Sequence, residues 1–221
     1  MIQTLPEGEF RLPLFPLPGV VFLPKTRLPL HVFEPRYRQM VSDVMRAEQR
    51  IGMVMLKPGW ESDYYGSPPI YEFGTAGFVE QALLLEGGQY EIVLGGIGRV
   101  RILKEISTEP YRVALATAAP EELPSEETGK ALRGLLAALA KQYLSLLPEK
   151  GAVPELEGAD FESLTNALIM ALSLESEEKQ RLLETPAMHD RATSVAEHLT
   201  ERLQTISLLA PFRKPADPSW N

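Results

Sequence analysis

The sequence predicts an α+β protein in which a β-rich N-terminal lobe with one helix precedes a C-terminal α-helical bundle. Residues 10–118 contain short apolar runs separated by segments rich in glycine and proline, which is the pattern of strands and turns. After an acidic stretch at residues 120–128, apolar residues recur three and four positions apart among helix-forming residues. We therefore expect a β lobe at residues 1–120, a helical lobe at 121–210 and a flexible tail at 211–221.

Length and composition limit the class of protein. A chain of 221 residues, 44% of them hydrophobic, can bury one large core or two small ones without metals or disulfides. The net charge of −8 disfavours attraction to nucleic acid or to anionic membranes. The sequence has no cysteine, which excludes disulfides, thiolate nucleophiles and sulfur-ligated zinc or iron–sulfur sites. Because the sequence shows neither a signal peptide nor a membrane-spanning apolar stretch, we expect a cytoplasmic protein without membrane contacts.

The first elements follow from proline placement and periodicity. Prolines interleave with apolar residues at 10–24, which forbids a helix and confines any strand there to edges and short pieces. A helix is expected at residues 35–48, because Pro35 suits a first helical position and an apolar stripe follows it. The stripe consists of Tyr37, Met40, Val41, Val44 and Met45. The apolar run at residues 51–56 predicts a buried strand.

The rest of the β lobe is predicted to be one long loop and an antiparallel meander. The loop spans residues 57–73 and contains prolines and glycines, and long ordered loops are often functional. Three strands with glycine-rich hairpins follow it, and one more strand precedes the acidic stretch. The strands are expected at residues 74–85, 89–94, 98–106 and 111–118, and the hairpins at 86–88 and 95–98.

The helical lobe is predicted to contain four helices. They are expected at residues 126–147, 161–172, 175–184 and 187–209. Ser173 and Thr185 are the expected caps of the third and fourth helices. The paired carboxylates at 121–122 and 126–127 lie in the linker, where we expect them to be exposed and unpartnered.

Several motifs resemble the Lon N-terminal domain family. Two segments resemble its opening signature, FRLPLFPLPGVVFLP at residues 10–24 and LPLHVFEPRYRQM at residues 28–40. Later landmarks follow in the same order, and they are GTA at 74–76, GGIGRVRI at 95–102, and EKQRLLE at 178–184 with Arg191 after it. The resemblance runs from about residue 10 to residue 203, nearly the whole chain.

The resemblance implies a fold and a function. In Lon proteases this domain is a PUA-like lobe, expected here as twisted antiparallel sheets in a partly open barrel, followed by a helical bundle. It precedes the ATPase and protease domains, and we expect a free-standing relative that lacks both. A similar β lobe occurs in substrate receptors of the cereblon type. The resemblance therefore implies recognition of protein or unfolded polypeptide clients, together with a protease or chaperone partner.

The sequence shows no motif for catalysis. The pair Gly129–Lys130 lacks both the hydroxyl residue and the upstream glycine of a phosphate-binding loop. The glycines at 95–98 precede a strand, whereas a dinucleotide-binding loop precedes a helix. His31, His189 and His198 form no metal-binding pattern, and no Gly-x-Ser-x-Gly motif occurs in the sequence. We expect no enzyme activity, no catalytic residues, no cofactor and no metal.

Six aromatic residues are candidates for contact with a partner. Trp60, Tyr64, Tyr65 and Tyr71 concentrate in the 57–73 loop, and aromatic side chains on loops often anchor recognition surfaces. Their alternative role is to fasten the loop to the β lobe. Phe15 and Phe22 can present an extended edge to a client peptide by strand addition, although an alternating apolar run is more often core.

Two other functions stay open. RNA binding is suggested by the PUA-like lobe and by cations on neighbouring strands, and it requires them to form one basic face. These cations are Arg99, Arg101, Lys104 and Arg112. The overall acidity argues against nucleic acid as a partner. A hydrolase would require a buried titratable pair in a pocket between the lobes. The sequence does not fix the oligomeric state.

Overall fold

The computed structural model describes residues 4–146 and 158–209. In these residues six strands form one sheet and five α-helices accompany it. The strands are β1 (Glu9–Leu17), β2 (Arg27–Val32), β3 (Arg50–Leu56), β4 (Ile70–Leu84), β5 (Tyr90–Ser107) and β6 (Val113–Ala118). The helices are α1 (Pro35–Val44), α2 (Glu126–Ser145), α3 (Phe161–Ala171), α4 (Ser176–Glu184) and α5 (Met188–Leu209). The tail expected at 211–221 lies outside the described residues.

The sheet is mixed and closes on itself. Its order is β2-β5-β4-β3-β1-β6, and a further pairing of β5 with β6 completes a five-stranded ring. β5 reaches two partners on one side because its first half pairs with β2 and its second half with β6. β1 and β3 run parallel. The prediction of antiparallel sheets was therefore wrong for this pairing, because the chain between β1 and β3 contains β2 and α1 and so permits a crossover, whereas the other strand pairings are antiparallel.

The glycines at residues 95–98 form no hairpin. They lie inside β5, which is continuous from Tyr90 to Ser107, and none of them has a positive φ. A Cβ on Gly96 would lie 2.6 Å from the carbonyl oxygen of Leu23. At this point the Lys25 N–H donates to the Gly96 carbonyl over 2.9 Å, so two backbones touch. Glycine provides clearance here, whereas at the confirmed 86–88 hairpin Gly87 and Gly88 have the positive φ that the turn requires.

The proline-rich opening forms a long internal strand, contrary to the prediction of short edge pieces. β1 has nine residues and pairs with β6 along its first half and with β3 along its second half. Leu14 donates its N–H to the Arg112 carbonyl on the β6 side. Because N–H groups alternate between the two sides of a strand, Pro13 faces β3 and Pro16 faces β6. Pro13 therefore faces the side on which the first half of β1 has no partner strand, and Pro16 faces the side on which the second half has none.

Helix α1 packs against the outer face of the ring, because the core inside the ring is a separate one to which all five ring strands contribute. Tyr37, Met40, Val41 and Val44 are buried, as predicted. The helix ends at Val44, before the predicted residue 48, and Met45 is 36% exposed. The four buried residues share one apolar core with side chains of β1, β2, β3 and β5. α1 therefore fixes the positions of the strand ends around it.

Helices α2 to α5 pack around a second apolar core. Their bounds agree with the predicted helices to within about two residues. Val21, Leu23 and Met55 of the β lobe belong to this core, so the two lobes share it. The predicted caps were wrong, because Glu175 precedes α4 and Thr185 ends it. The division of the chain near residue 120 stays a prediction.

A buried charged cluster also joins the two lobes. Arg99 is 3% exposed and Arg191 is fully buried, and Glu121 forms ion pairs with both. Arg99 donates to the Leu183 carbonyl over 3.0 Å, and Arg191 donates to the Thr185 carbonyl over 2.7 Å. The prediction that Glu121 is an exposed, unpartnered charge was wrong, because the linker turns inward between the lobes.

Candidate functional site

An apolar groove opens beside the N-terminus of α1. It has a volume of about 320 Å³ and lies between the end of β1 and the end of β2. The lining residues are Phe15, Leu17, Pro18, Val20, Leu30, His31, Val32, Phe33, Glu34, Tyr37 and Tyr64. We call this the α1 groove. Its walls come from two strand ends and a helix start, so it is built on rigid elements.

The floor of the α1 groove is made of two aromatic rings. The ring centroids of Phe15 and Tyr37 lie 4.2 Å apart. Both side chains are buried, and the Tyr37 hydroxyl donates to the Pro16 carbonyl over 3.4 Å. Burial raises the pKa of Tyr37 to about 12. The floor is therefore uncharged at neutral pH and already packed.

One rim of the α1 groove is an aromatic cluster from the β3–β4 loop. A short 3₁₀ helix at Trp60–Asp63 leads into this cluster. Trp60 packs edge-on against Tyr64 at 5.6 Å between ring centroids, and Tyr64 packs edge-on against Tyr65 at 5.2 Å. The Arg36 guanidinium lies 5.2 Å from the centroid of the Tyr64 ring. These contacts place the loop over the start of α1.

Hydrogen bonds connect this loop to α1. The Tyr64 hydroxyl donates to Glu34 Oε1 over 2.6 Å, and Arg36 Nε donates to Glu34 Oε2 over 3.1 Å. Burial, together with this hydrogen bond, raises the pKa of Tyr64, so its phenol stays a donor at neutral pH. Glu34 therefore links the loop to α1.

The other rim exposes apolar surface. The side chain of Phe33 is 59% exposed and stacks against His31 with ring centroids 6.1 Å apart. Tyr65, which packs against the lining residue Tyr64, is 87% exposed. Large aromatic side chains this accessible are typical of binding surfaces when they adjoin a pocket.

The structure brings together four of the six candidate aromatics. Trp60, Tyr64 and Tyr65 form the cluster, and Phe15 lies on the floor of the groove. Phe22 is 1% exposed and belongs to the core, which agrees with the alternative interpretation of that run.

Tyr71 is not a loop residue. The loop ends before Ile70, and Tyr71 lies in β4, where it packs against the core of the helical lobe. Lys57 Nζ lies 5.8 Å from its ring centroid. Tyr71 therefore connects the lobes and does not contribute to the α1 groove.

Sequence reasoning missed Phe33 and the linking pair Glu34 and Arg36. All three lie in the HVFEPRY part of the opening signature, where Phe33 and Glu34 connect β2 to α1 and Arg36 is in the first turn of α1. β2 was also missed, although Leu28, Leu30 and Val32 alternate as strand residues do. Recognition of that alternation would have placed Phe33 at a strand end, outside the core.

Two further grooves lie elsewhere on the described residues. One, of about 500 Å³, crosses β2, β5 and β4 and shares Leu30 and His31 with the α1 groove. Another, of about 480 Å³, lies between the linker and the start of α3, where Lys25 pairs with Asp160 and Glu162. Among the described residues no cluster of three or more His, Asp or Glu side chains has the arrangement of a metal site.

The structure does not support the alternative of RNA binding. Arg112 is buried and donates two hydrogen bonds to Glu105, both over 2.6 Å. Arg99 is buried in the cluster between the lobes, and Arg101 pairs with Glu72. Three of the four cations named for RNA binding are therefore paired with carboxylates.

The alternative of a hydrolase required a titratable pair in a pocket between the lobes. The buried charges between the lobes are those of Arg99, Glu121 and Arg191. None of the three lines any of the grooves described above. The cluster is therefore a bridge between the lobes, and both of its guanidinium groups contact Glu121 and donate to backbone carbonyls. Within the described residues no helix is both long and apolar enough to cross a membrane.

Comparison with known proteins identifies the family. Residues 11–201 match the family model of the ATP-dependent protease La (LON) substrate-binding domain. The chain belongs to this family. The matched region is the substrate-binding domain, not the ATPase or protease domain of Lon.

Relatives and solved structures agree with this result. Lon protease 2 of Myxococcus xanthus is 31% identical over 205 residues, and the match covers 89% of this chain and 24% of that protein. Lon protease of Desulfosudis oleivorans is 26% identical over 212 residues, which cover 93% of this chain and 25% of that protein. The chain thus spans about a quarter of the length of these curated relatives.

Two Lon structures share the fold. The crystal structure of a Lon N-terminal domain protein from Xanthomonas campestris has a TM-score of 0.61 at 24% identity, with 84% of this chain and 96% of that chain covered. The N-terminal domain of the Mycobacterium avium complex Lon protease has a TM-score of 0.65 at 17% identity, with 87% and 99% covered. The mixed six-stranded sheet with its helices is therefore the fold of Lon N-terminal domains.

Proposed function

We propose that this chain is a non-enzymatic module that recognises polypeptides and that the α1 groove is its binding site. The observation that carries the proposal is the exposed aromatic pair on the two rims, Phe33 at 59% and Tyr65 at 87% exposure, over a packed aromatic floor. The family of substrate-binding domains supports a role in recognition. An apolar groove with a few polar groups at its edge suits apolar side chains of a protein client.

The arrangement favours binding because the groove is formed in advance. Glu34 and Arg36 hold the Tyr64 loop against α1, so little conformational entropy is lost when a partner binds. Tyr and Trp anchors each contribute about 1–2 kcal/mol or more to binding when they are desolvated. Removal of the exposed aromatics is therefore expected to weaken binding without loss of the fold.

The wider role that we propose is that of an adaptor in protein quality control. The relatives are Lon proteases, and this chain matches their substrate-binding domain, so a protease or chaperone is the expected partner in that role. We propose a cytoplasmic location for it. The ring-shaped sheet with one helix packed on its outer face supports a PUA-like description of the β lobe.

Binding of an unfolded protein tests the proposal. The probe is a fluorescent, reduced and carboxamidomethylated protein that cannot refold, and its anisotropy is measured against increasing concentrations of this chain. The double variant Phe33→Ala with Tyr65→Ala is expected to bind at least about tenfold more weakly, since two anchors are lost.

The matched control is Leu103→Ala with Ile106→Ala. These side chains are 43% and 38% exposed on β5 and do not line the α1 groove. The control is expected to bind like the unaltered chain, and all variants are checked for an unchanged thermal midpoint. Equal binding by both double variants would remove the α1 groove as the site, and no binding by the unaltered chain would reject polypeptide recognition.

A further inference from the structure

The open edge of the sheet adjoins the α1 groove. β2 is the terminal strand in the sheet order, and β5 is its one strand partner among the described residues. The Thr26 carbonyl accepts from the Gly96 N–H. The backbone N–H and carbonyl groups of the even-numbered residues from 26 to 32 therefore face β5. The backbone groups of Pro29 and His31 therefore face away from the sheet. Both residues are exposed, so this edge is open to solvent.

The edge and the groove form one surface. Leu30, His31 and Val32 of β2 line the α1 groove on one side, and Leu17 and Val20 line it on the other. The His31 N–H and carbonyl can each bond to a strand placed in this position. Groups two residues apart along such an edge are separated by about 6.8 Å, which is the repeat of an extended polypeptide backbone.

We infer that an extended, apolar segment of a client polypeptide binds as an added strand along β2 and places alternate side chains in the α1 groove. This inference rests on the proposed function and specifies its mode. It differs from the strand addition considered for Phe15 and Phe22, because the segment that contains them is either paired or buried. Backbone bonds to β2 give affinity without a fixed sequence, and the groove selects apolar residues.

Pro29 limits the reach of this added strand. It has no N–H and faces the open side, so hydrogen bonding along the edge is interrupted two residues before His31. Proline on an edge strand opposes uncontrolled pairing between copies of a sheet. The binding edge is therefore short and is centred on His31, next to the aromatic residues.

Two variants separate the contribution of the His31 backbone N–H to binding from that of its side chain. His31→Pro removes the outward N–H but leaves the bonds between β2 and β5, because those come from the even positions. His31→Ala removes the imidazole and keeps the N–H. We expect His31→Pro to bind the unfolded probe about tenfold more weakly, the effect of one lost buried hydrogen bond, and His31→Ala to bind normally. Equal affinity of the two variants overturns the inference.

Peptides give a second measurement that does not require the proline variant to fold. The probe is an octapeptide of alternating valine and threonine between pairs of lysines, made unmodified and in two versions N-methylated at the odd or the even residues. Each version loses the N–H donors of one strand edge and keeps its side chains. We expect one N-methylated version to lose binding at least tenfold and the other to bind like the parent.

The outcomes are distinguishable from failure of the proposed function. Equal binding of both N-methylated versions overturns strand addition, and so does absence of peptide binding when the unfolded protein still binds. In both cases the proposed function stands. If the unfolded protein does not bind either, polypeptide recognition itself is rejected.

Discussion

At the scale of single residues, a few hydrogen bonds decide whether the aromatic rim is ordered. Tyr64 contributes its ring to the cluster with Trp60 and Tyr65, and its hydroxyl bonds to Glu34. A hydrogen bond to a charged acceptor contributes about 1.5–3 kcal/mol when partly buried. We therefore expect this contact to contribute to the stability of the loop against α1.

Tyr64→Phe tests this contact, because it removes the hydroxyl and keeps the ring. We expect faster amide hydrogen exchange in residues 60–65 and a loss of at most about 2 kcal/mol in the free energy of unfolding. Tyr65→Phe is the control, since Tyr65 is 87% exposed. Unchanged exchange in Tyr64→Phe would show that ring packing alone orders the loop.

Asp160 predicts a pH dependence of stability. Burial acts to raise its pKa, but hydrogen bonds from the Ser163 N–H and Lys25 outweigh burial and hold the pKa below the usual 3.8. A carboxyl with a lowered folded-state pKa stabilises the fold above its unfolded pKa, and this contribution is lost as pH falls through the folded pKa.

Asp160→Asn is expected to flatten the fall in the free energy of unfolding below about pH 4, because asparagine caps a helix without titrating. Urea unfolding of both proteins between pH 2 and pH 6 measures the difference. Curves that stay parallel over that range would contradict the assignment.

At the scale of secondary-structure elements, α1 positions the site. It buries Met40 completely in the core that also contains Phe15 and Tyr37 of the groove floor. A change on its buried face is therefore expected to disturb the fold and the groove together. Met45 lies just past the helix end and is 36% exposed, so a substitution there serves as the comparison for one on the buried face.

Met40→Asp is expected to lower the free energy of unfolding by more than about 3 kcal/mol, because it buries an unpaired charge. Met45→Asp is expected to cost less than about 1 kcal/mol. Chemical denaturation followed by circular dichroism measures both. Similar losses in the two variants would show that α1 is not packed as described.

The close approach of β5 to the 23–25 segment at Gly96 is a second feature at this scale. Gly96→Ala would place a Cβ 2.6 Å from the Leu23 carbonyl, so β5 and the 23–25 segment must separate. We expect a loss of at least about 1 kcal/mol. Gly134→Ala in α2 is the control, because its Cβ meets nothing within 4 Å, and it is expected to stabilise by about 0.5–1 kcal/mol. Thermal midpoints that rise in both variants would contradict a close approach at Gly96.

The elements differ in how well sequence reasoning predicted them. Helices α2 to α5 were predicted nearly to their ends because a 3.6-residue period is a local signal, whereas α1 ends at Val44 and not at the predicted residue 48. The continuity of β5 was missed because glycine serves both turns and close contacts, and the latter depend on Leu23, far away in the chain. For the site, the aromatics at 60–65 were predicted from the composition of the loop itself. Phe33 could be identified as exposed only once β2 was known to end at Val32.

At the scale of the whole molecule, the buried cluster couples the two lobes. Two arginines share one carboxylate, which leaves the cluster with one more positive than negative side chain. Carbonyls at the C-terminal end of α4, from Leu183 to Thr185, accept from Arg99 and Arg191 and offset this charge. The cluster thus fastens the end of α4 to the barrel.

Arg191→Met is expected to destabilise the whole chain by about 3–5 kcal/mol, since it breaks a buried ion-pair network. Arg181→Met, at a side chain that is 63% exposed, is expected to cost less than about 1 kcal/mol. Because the lobes share a core, we expect a single unfolding transition for all proteins by calorimetry. Two separate transitions in the unaltered chain would contradict the coupling.

The Arg99 contacts also set the order of events during folding. Its carbonyl partners Leu183 and Glu184 lie 84 and 85 positions further along the chain, and Asn166 bonds to the Pro24 carbonyl across 142 positions. Contacts between such distant positions close large loops and form late. During synthesis, the barrel segment emerges well before α4 supplies the acceptors of its buried arginine. Until α4 arrives, the Arg99 guanidinium faces water, so its buried native contacts form only together with the helices.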